Sequence, residues 1–133
     1  MKYIYIAGPY SGIHHDYRSF FEIDRNIMRA MEAADALCNA GVGFFCPHSH
    51  SAHFETIAPE VPSEYWKALD MHFMDDCDGI LMLPNWESSS GSKREKDIME
   101  QNEKPVFYDV QDAIEWAQLM NRLEIEERQK YFK

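Results

Sequence analysis

The sequence predicts an α/β fold in which a parallel sheet is covered by helices on both faces, and three observations carry that prediction. Short apolar runs alternate with segments of helical period along the whole chain. The runs at residues 3–7 and 79–83 are apolar almost throughout rather than at every second position. The first of them ends in Gly8-Pro9 and the run at 42–46 ends in Pro47, residues that stop a strand. Alternating strands and helices favour parallel pairing, and a continuous apolar strand is one buried on both faces.

Each element has its own justification. Residues 3–7 form a β-rich run, followed by a loop over residues 8–16. From about residue 20 to 39, Ile23, Ile27, Met31, Ala34, Leu37 and Cys38 recur three or four apart, the period of an amphipathic helix, and Gly41 suits its end. Residues 42–46 read as a second strand. Residues 48–62, with Pro59 and Pro62 and no clear period, read as a long loop of the kind that often carries function. Ser63 is placed to cap a helix running through Cys77, with Glu64 in its first turn and Tyr65, Leu69, Phe73 and Met74 on one face. A strand at 79–83, a Ser/Gly turn, a helix over about 92–102, a strand at 106–108 and a closing helix from Gln111 complete the order. That order, β-α-β-loop-α-β-α-β-α, places ligands at the carboxyl ends of the strands. The three chemically unusual loops, after Ala7, Cys46 and Leu83, all leave strands at that edge.

A chain of 133 residues suits a single domain, 1–133, and its 45% hydrophobic and 14% aromatic content is that of a folded protein with a substantial core. The charged tail at about 124–133 is expected to fray. Twenty-three acidic residues against thirteen basic ones give a net charge of −10, which argues against a nucleic-acid backbone or an anionic membrane as the main partner. A small nucleotide or sugar remains compatible, because one local site can be cationic within an acidic protein. Cys38, Cys46 and Cys77 are odd in number and lack CxxC spacing, so they read as reduced core thiols of a cytoplasmic protein. The opening residues show no signal peptide, and no stretch approaches the roughly 20 apolar residues of a membrane span.

Chemistry concentrates at the turn from Trp86 to Glu95, Trp-Glu-Ser-Ser-Ser-Gly-Ser-Lys-Arg-Glu. If Gly91 or Ser92 is the helix cap, Glu95 falls in the first turn, where a carboxylate is favoured by the helix dipole. It is equally placed to be catalytic, and the pattern alone leaves both readings open. Ser88, Ser89, Ser90 and Ser92 are ordinary turn residues, yet hydroxyls and free amides at a helix start also bind phosphate, and Lys93 and Arg94 add positive charge. Asp70 borders the apolar stripe of its helix, whereas Asp75 and Asp76 read as surface. Gly8-Pro9-Tyr10-Ser11-Gly12 lacks both GxGxxG and the Walker pattern, so it is either a plain turn or a site whose amides and Ser11 and Tyr10 hydroxyls face the same edge as Glu95. Trp66, Tyr65 and Trp86 could stack on a base, although such residues more often anchor a core. His48, His50 and His53 have the HxHxxH spacing of binuclear metallo-hydrolases, but Ala52 stands where those enzymes usually carry Asp. Histidines lining a pocket are the favoured reading, with no metal or other cofactor required.

Taken together, residues 5–12 (Tyr-Ile-Ala-Gly-Pro-Tyr-Ser-Gly), Pro47-His48, Asp70 eight residues before Asp78-Gly79-Ile80, and the Trp86-to-Glu95 run resemble the nucleoside 2-deoxyribosyltransferase-like superfamily over about residues 3 to 108. The specific part is Asp70, the strand after Asp78, and Ser89-x-Gly91-x-x-x-Glu95 in that order. The subgroup it looks most like is the small bacterial and phage proteins with AGPYSG starts and WExSxG motifs, related to nucleoside 5′-monophosphate N-glycosidases. The resemblance implies a flavodoxin-like (Rossmann-like) sheet of four to five strands. It also implies an enzyme of nucleotide metabolism that cleaves or transfers the N-glycosidic bond of a nucleoside or nucleoside 5′-monophosphate. The residue matching Glu95 would attack C1′ to give a covalent glycosyl ester, as in retaining glycosidases. Asp70 would orient the sugar or carry the proton for the departing base, and Tyr10 would position the nucleophile or sugar. Gly8, Ser11, Gly12, His48, Trp86, Ser89, Gly91 and Ser92 are the expected substrate contacts, and a homo-oligomer is the expected assembly. A metal-dependent hydrolase using His48, His50 and His53, and a non-catalytic nucleotide-binding module, are the rival expectations.

Overall fold

The computed structural model describes residues 1–131, so the last two residues of the expected domain and charged tail lie outside the described residues. Four strands, β1 (Tyr3–Ala7), β2 (Gly43–Phe45), β3 (Gly79–Met82) and β4 (Val106–Phe107), form one parallel sheet in the order β2-β1-β3-β4. The helices are α1 (Arg18–Asn39), α2 (Pro47–His50), α3 (Phe54–Ile57), α4 (Ser63–Asp75), α5 (Ser90–Gln101) and α6 (Val110–Tyr131). This is the α/β arrangement read from the sequence, consistent with a flavodoxin-like fold.

Strand alternation sorts the core into two layers. Ile4, Ile6, Leu81 and Leu83 face α1 and α6, where they meet Ala30, Ala34, Leu37, Ala113 and Ala117. Tyr5, Ala7, Ile80 and Met82 face the other way, against Met74 of α4 and Met99 of α5. Both faces of β1 and β3 are therefore dry, which is why those runs are apolar at successive positions. Small residues on α1 and α6 let both helices approach the sheet closely. Met31 and Cys38, read as part of the α1 stripe, lie instead on its exposed side. Leu37 is fully buried, and the next residue is turned about 100° around the helix from it. Only Cys46 and Cys77 are core thiols.

Local chemistry moves several boundaries. Asp16 accepts a hydrogen bond from the Arg18 backbone N–H at 2.9 Å, so α1 starts two residues before its apolar period does. Gly41 has φ +73°, the left-handed conformation that lets the chain leave α1, while the Val42 N–H closes on the Leu37 carbonyl at 3.0 Å. The segment at 48–62 is not one irregular loop. Pro47 opens α2, and His53, at φ +60°, reverses the chain into α3. Single turns of this length have no period to read. Ser63 is the first residue of α4 rather than its cap; Pro62 holds the extended cap position and no side chain caps the helix. Within the charged tail α6 runs to Tyr131, and Lys2 Nζ meets the Glu124 carboxylate at 2.8 Å.

After β1 the chain crosses to β2 on one side, and β3 then returns to pair with β1 on the other. Loops leaving β1 and β3 thus diverge and open a crevice at their carboxyl ends. The two strands stay close there, with the Leu83 N–H donating to the Ala7 carbonyl at 2.8 Å. A Cβ on Gly8 would lie 2.8 Å from Leu83 Cβ and 3.0 Å from its Cδ1. Gly8→Ala is expected to destabilise the fold by about 1–3 kcal/mol, the usual penalty of overpacking. Urea unfolding of the variant beside the wild type measures it.

Candidate active site

The crevice is a cavity of about 610 Å³, bounded by the loop after β1, by α2 and α3, by α4, and by the start of α5. It brings together Glu95, Asp70, Tyr10, Gly8, Ser11, Gly12, His48, Ser89, Gly91 and Ser92, residues spread over more than eighty positions of sequence. Trp86 is not among its lining residues. That indole packs against Tyr108 at 5.9 Å between ring centroids, with Lys96 Nζ 5.6 Å from its own centroid.

Glu95 is set by α5. Ser89, in extended conformation, caps the helix, its Oγ accepting from the Ser92 N–H at 3.2 Å. The helix begins at Ser90, so Glu95 sits in its second turn and no acidic residue occupies the first. The capping account of Glu95 therefore fails, because a serine earlier in the run takes that position. The Glu95 carboxylate instead turns to the sheet and accepts the Tyr5 hydroxyl. Tyr5 is fully buried in β1, and burial, followed by the Glu95 and Asp70 charges, drives its phenol far up, so it remains a donor. Burial also raises Glu95 to about 7; the Tyr5 hydrogen bond opposes the rise and Asp70 adds to it.

Asp70 projects from α4 into the same cavity, and its Oδ1 is buried without a hydrogen-bond partner among the described residues. Burial lifts it to about 6, against a smaller lowering effect of His50. Two carboxyl groups thus share one cavity near neutrality, an arrangement typical of sites that move protons or stabilise positive charge. Ser90, Gly91 and Ser92 at the start of α5 line the same cavity, and the buried Ser92 Oγ has no partner among the described residues. A Cβ on Gly91 would meet only Ser89 Oγ, at 3.9 Å. The glycine leaves room at the helix start rather than answering a packing demand.

The β1 loop is held from α2. His48 is 5% exposed, its Nε2–H donates to the Pro9 carbonyl at 2.9 Å, and burial lowers its pKa, which keeps the ring neutral. The other two histidines go elsewhere. His50 lies against Phe45 and Phe73, and His53 stacks on Phe20 at 4.8 Å. Among the described residues no group of three or more His, Cys, Asp and Glu side chains is arranged to hold a metal ion. The HxHxxH spacing is thus spent on three separate contacts.

Several lining residues were not singled out from sequence. Tyr5 carried a signal, since a phenol flanked by Ile4 and Ile6 in a doubly buried strand needs an acceptor. Lys67 lies on the Asp70 face of α4, three residues ahead of it, beside Trp66, the one of the three aromatic residues read as able to stack on a base that lines the cavity. Phe54 and Glu55 had no readable signal, because α3 is a single turn. Tyr10 does not reach Glu95; its hydroxyl donates to Glu55 Oε2 at 2.7 Å and accepts the His53 backbone N–H at 2.9 Å.

Residues 2–108 match the family described as a domain of unknown function, DUF4406. The chain belongs to this family. No curated protein matches it. The DUF4406 match covers every strand and every cavity residue and stops before α6. Among its described residues no helix is long and apolar enough to cross a membrane.

The raised carboxyls of this DUF4406 domain make stability depend on pH. Glu95 and Asp70 hold their protons more tightly folded, at about 7 and about 6, than at their ordinary 4.5 and 3.8. Their contribution is fully present below about pH 4 and is lost as pH rises through 6 to 7. Glu95→Gln is therefore expected to exceed the wild type in stability at pH 8, by on the order of 2–3 kcal/mol, and to match it near pH 4. Urea unfolding across that range tests the sign. Tyr5→Phe, which removes the donor, is expected to move the Glu95 titration further up, read by carboxyl ¹³C chemical shifts.

Proposed function

We propose that this domain falls within the nucleoside 2-deoxyribosyltransferase-like superfamily and cleaves or transfers the N-glycosidic bond of a nucleoside or nucleoside 5′-monophosphate. The observation that carries this reading is the half-buried Glu95 carboxylate, held by Tyr5 and sharing a cavity with Asp70 and the start of α5. The family match, over residues 2–108, runs over the same stretch that carries the resemblance.

An oxocarbenium-like centre at C1′ is best met by a carboxylate. Ionised Glu95 attacks C1′; the C1′–N bond breaks, its electron pair leaves with the base, and protonated Asp70 supplies the base with a proton. Water then attacks C1′ of the ester, giving its proton to Asp70, and the Glu95 carboxylate departs. Attack by a second base in place of water gives transfer. Hydrolysis is the preferred outcome, because Ser11, Ser89, Ser90 and the free amides of α5 suit the 5′-phosphate of a nucleotide. No metal or redox cofactor enters these steps. A cytoplasmic homo-oligomer, with sites able to borrow residues from a neighbouring copy, belongs to the same reading.

Incubation with a panel of nucleosides and 5′-monophosphates is expected to release free base, scored by chromatography. Glu95→Ala should lower the rate on the order of 10³-fold or more. Because attack needs ionised Glu95 and departure of the base needs protonated Asp70, release should follow a bell-shaped pH profile with its maximum between about 6 and about 7. No release from any member, or undiminished release by the variant, rejects the reading.

A further inference from the structure

The cavity is chemically lopsided in a way that the bond-breaking residues do not explain. One part of its lining is the Ser89–Ser92 start of α5, which carries serine hydroxyls and the helix's first N–H groups. Another, from α3 and α4, is a carboxylate, Glu55, beside an aromatic wall, Phe54 packed edge-on to Trp66 at 5.3 Å between ring centroids. Glu55 is not a free surface acid. The Tyr10 hydroxyl donates to its Oε2 at 2.7 Å, and the His53 N–H fixes that hydroxyl from behind at 2.9 Å. Burial and the Glu55 carboxylate push the Tyr10 phenol up, so it stays a donor. His53 itself is anchored by stacking on Phe20, with its Nε2 3.4 Å from Asp24 Oδ1 and its Nδ1 3.6 Å from Glu55 Oε1. The carboxylate is thus oriented by one hydrogen bond while its remaining lone pairs stay open, its side chain being 42% exposed.

We infer that Glu55, with the Phe54–Trp66 wall, is the base-selecting subsite, and that it favours a base of the guanine type. This rests on the nucleoside reading above and adds the substrate class to it. A planar base stacks on the aromatic wall, and a fixed carboxylate accepts two neighbouring N–H donors in parallel. Guanine offers that pair on one edge, a ring N–H beside an exocyclic amine. Adenine and cytosine offer an amine beside an acceptor nitrogen, and uracil and thymine flank their ring N–H with carbonyl oxygens; each sets a lone pair against the carboxylate. The Glu55 carboxylate repels a phosphate and the start of α5 suits one, so the two parts of the lining favour one orientation of the ligand.

The test is binding of guanosine, adenosine, cytidine and uridine 5′-monophosphates to the catalytically blocked Glu95→Gln protein, with and without Glu55→Gln, alongside base release by the Glu95-intact protein. The guanine nucleotide is expected to bind tightest, by on the order of tenfold or more over the others. Glu55→Gln should remove that margin, because an amide, with one acceptor and one donor, matches the edges of the other bases as well as it does guanine's; a merely structural loss would weaken all four alike. Tyr10→Phe should reduce the guanine margin without reversing it. Equal binding of all four, or an equal loss for all four in Glu55→Gln, overturns the inference. Guanine-selective binding without base release from the intact protein would leave this subsite standing and remove the glycosidase reading. Base release without guanine preference would do the reverse.

Discussion

One hydrogen bond joins the centre of the sheet to the chemistry at its edge, that from the Tyr5 hydroxyl to the Glu95 carboxylate. Tyr5 stands on a strand paired on both sides, to Phe45 and to Ile80, so its ring has no freedom to follow a moving partner. Glu95 stands on a helix fixed from its first residue by the Ser89 cap. The bond therefore connects two rigid elements, which is what a preorganised reactive group needs. It also answers a demand of folding, since each group would otherwise be a buried polar atom without a partner. The same contact serves the core and the site.

The electrostatics of the cavity follow from that economy. Carboxyls withdrawn from water are costly when ionised, and among the described residues neither Glu95 nor Asp70 has a cation bonded to it. Their titration shifts toward neutrality instead of being suppressed by a salt bridge. Basic side chains in the neighbourhood, Lys93 and Arg94 on α5 and Lys67 on α4, are all solvent-exposed. The acids are left available to a ligand rather than engaged with one another's neighbours.

How much of this was legible in the sequence varied with physical scale. The sheet was, because doubly buried strands write themselves as continuous apolar runs, and α1 was, because twenty residues of 3.6 periodicity leave little room for another reading. Glu95, Asp70 and the β1 loop could be placed at one edge by topology alone. Their contacts could not. Whether Glu95 capped a helix or faced a cavity turned on which of several adjacent serines took the cap, a choice among nearly equal local conformations. The Tyr10 contact was hidden for a related reason: its hydroxyl meets Glu55, which lies on a one-turn helix that follows the left-handed His53, features with no periodic trace. Trp86 shows the limit of composition, as an aromatic residue at a strand end packed on Tyr108 rather than open to the cavity.

The closing helix has a consequence for what counts as the domain. The family match ends at residue 108, yet Ala113, Ile114 and Ala117 of α6 are part of the layer that covers Ile4, Ile6, Leu81 and Leu83. Farther along, Asn121 accepts the Lys2 backbone N–H at 2.8 Å, and Glu124 pairs with the Lys2 side chain. A chain ended where the matched stretch ends would open to water the part of that sheet face which Ala113, Ile114 and Ala117 cover. The stretch that matches the family and the unit that folds are thus not the same length. The segment that holds the site depends for its shape on a helix that belongs to neither the site nor the family pattern.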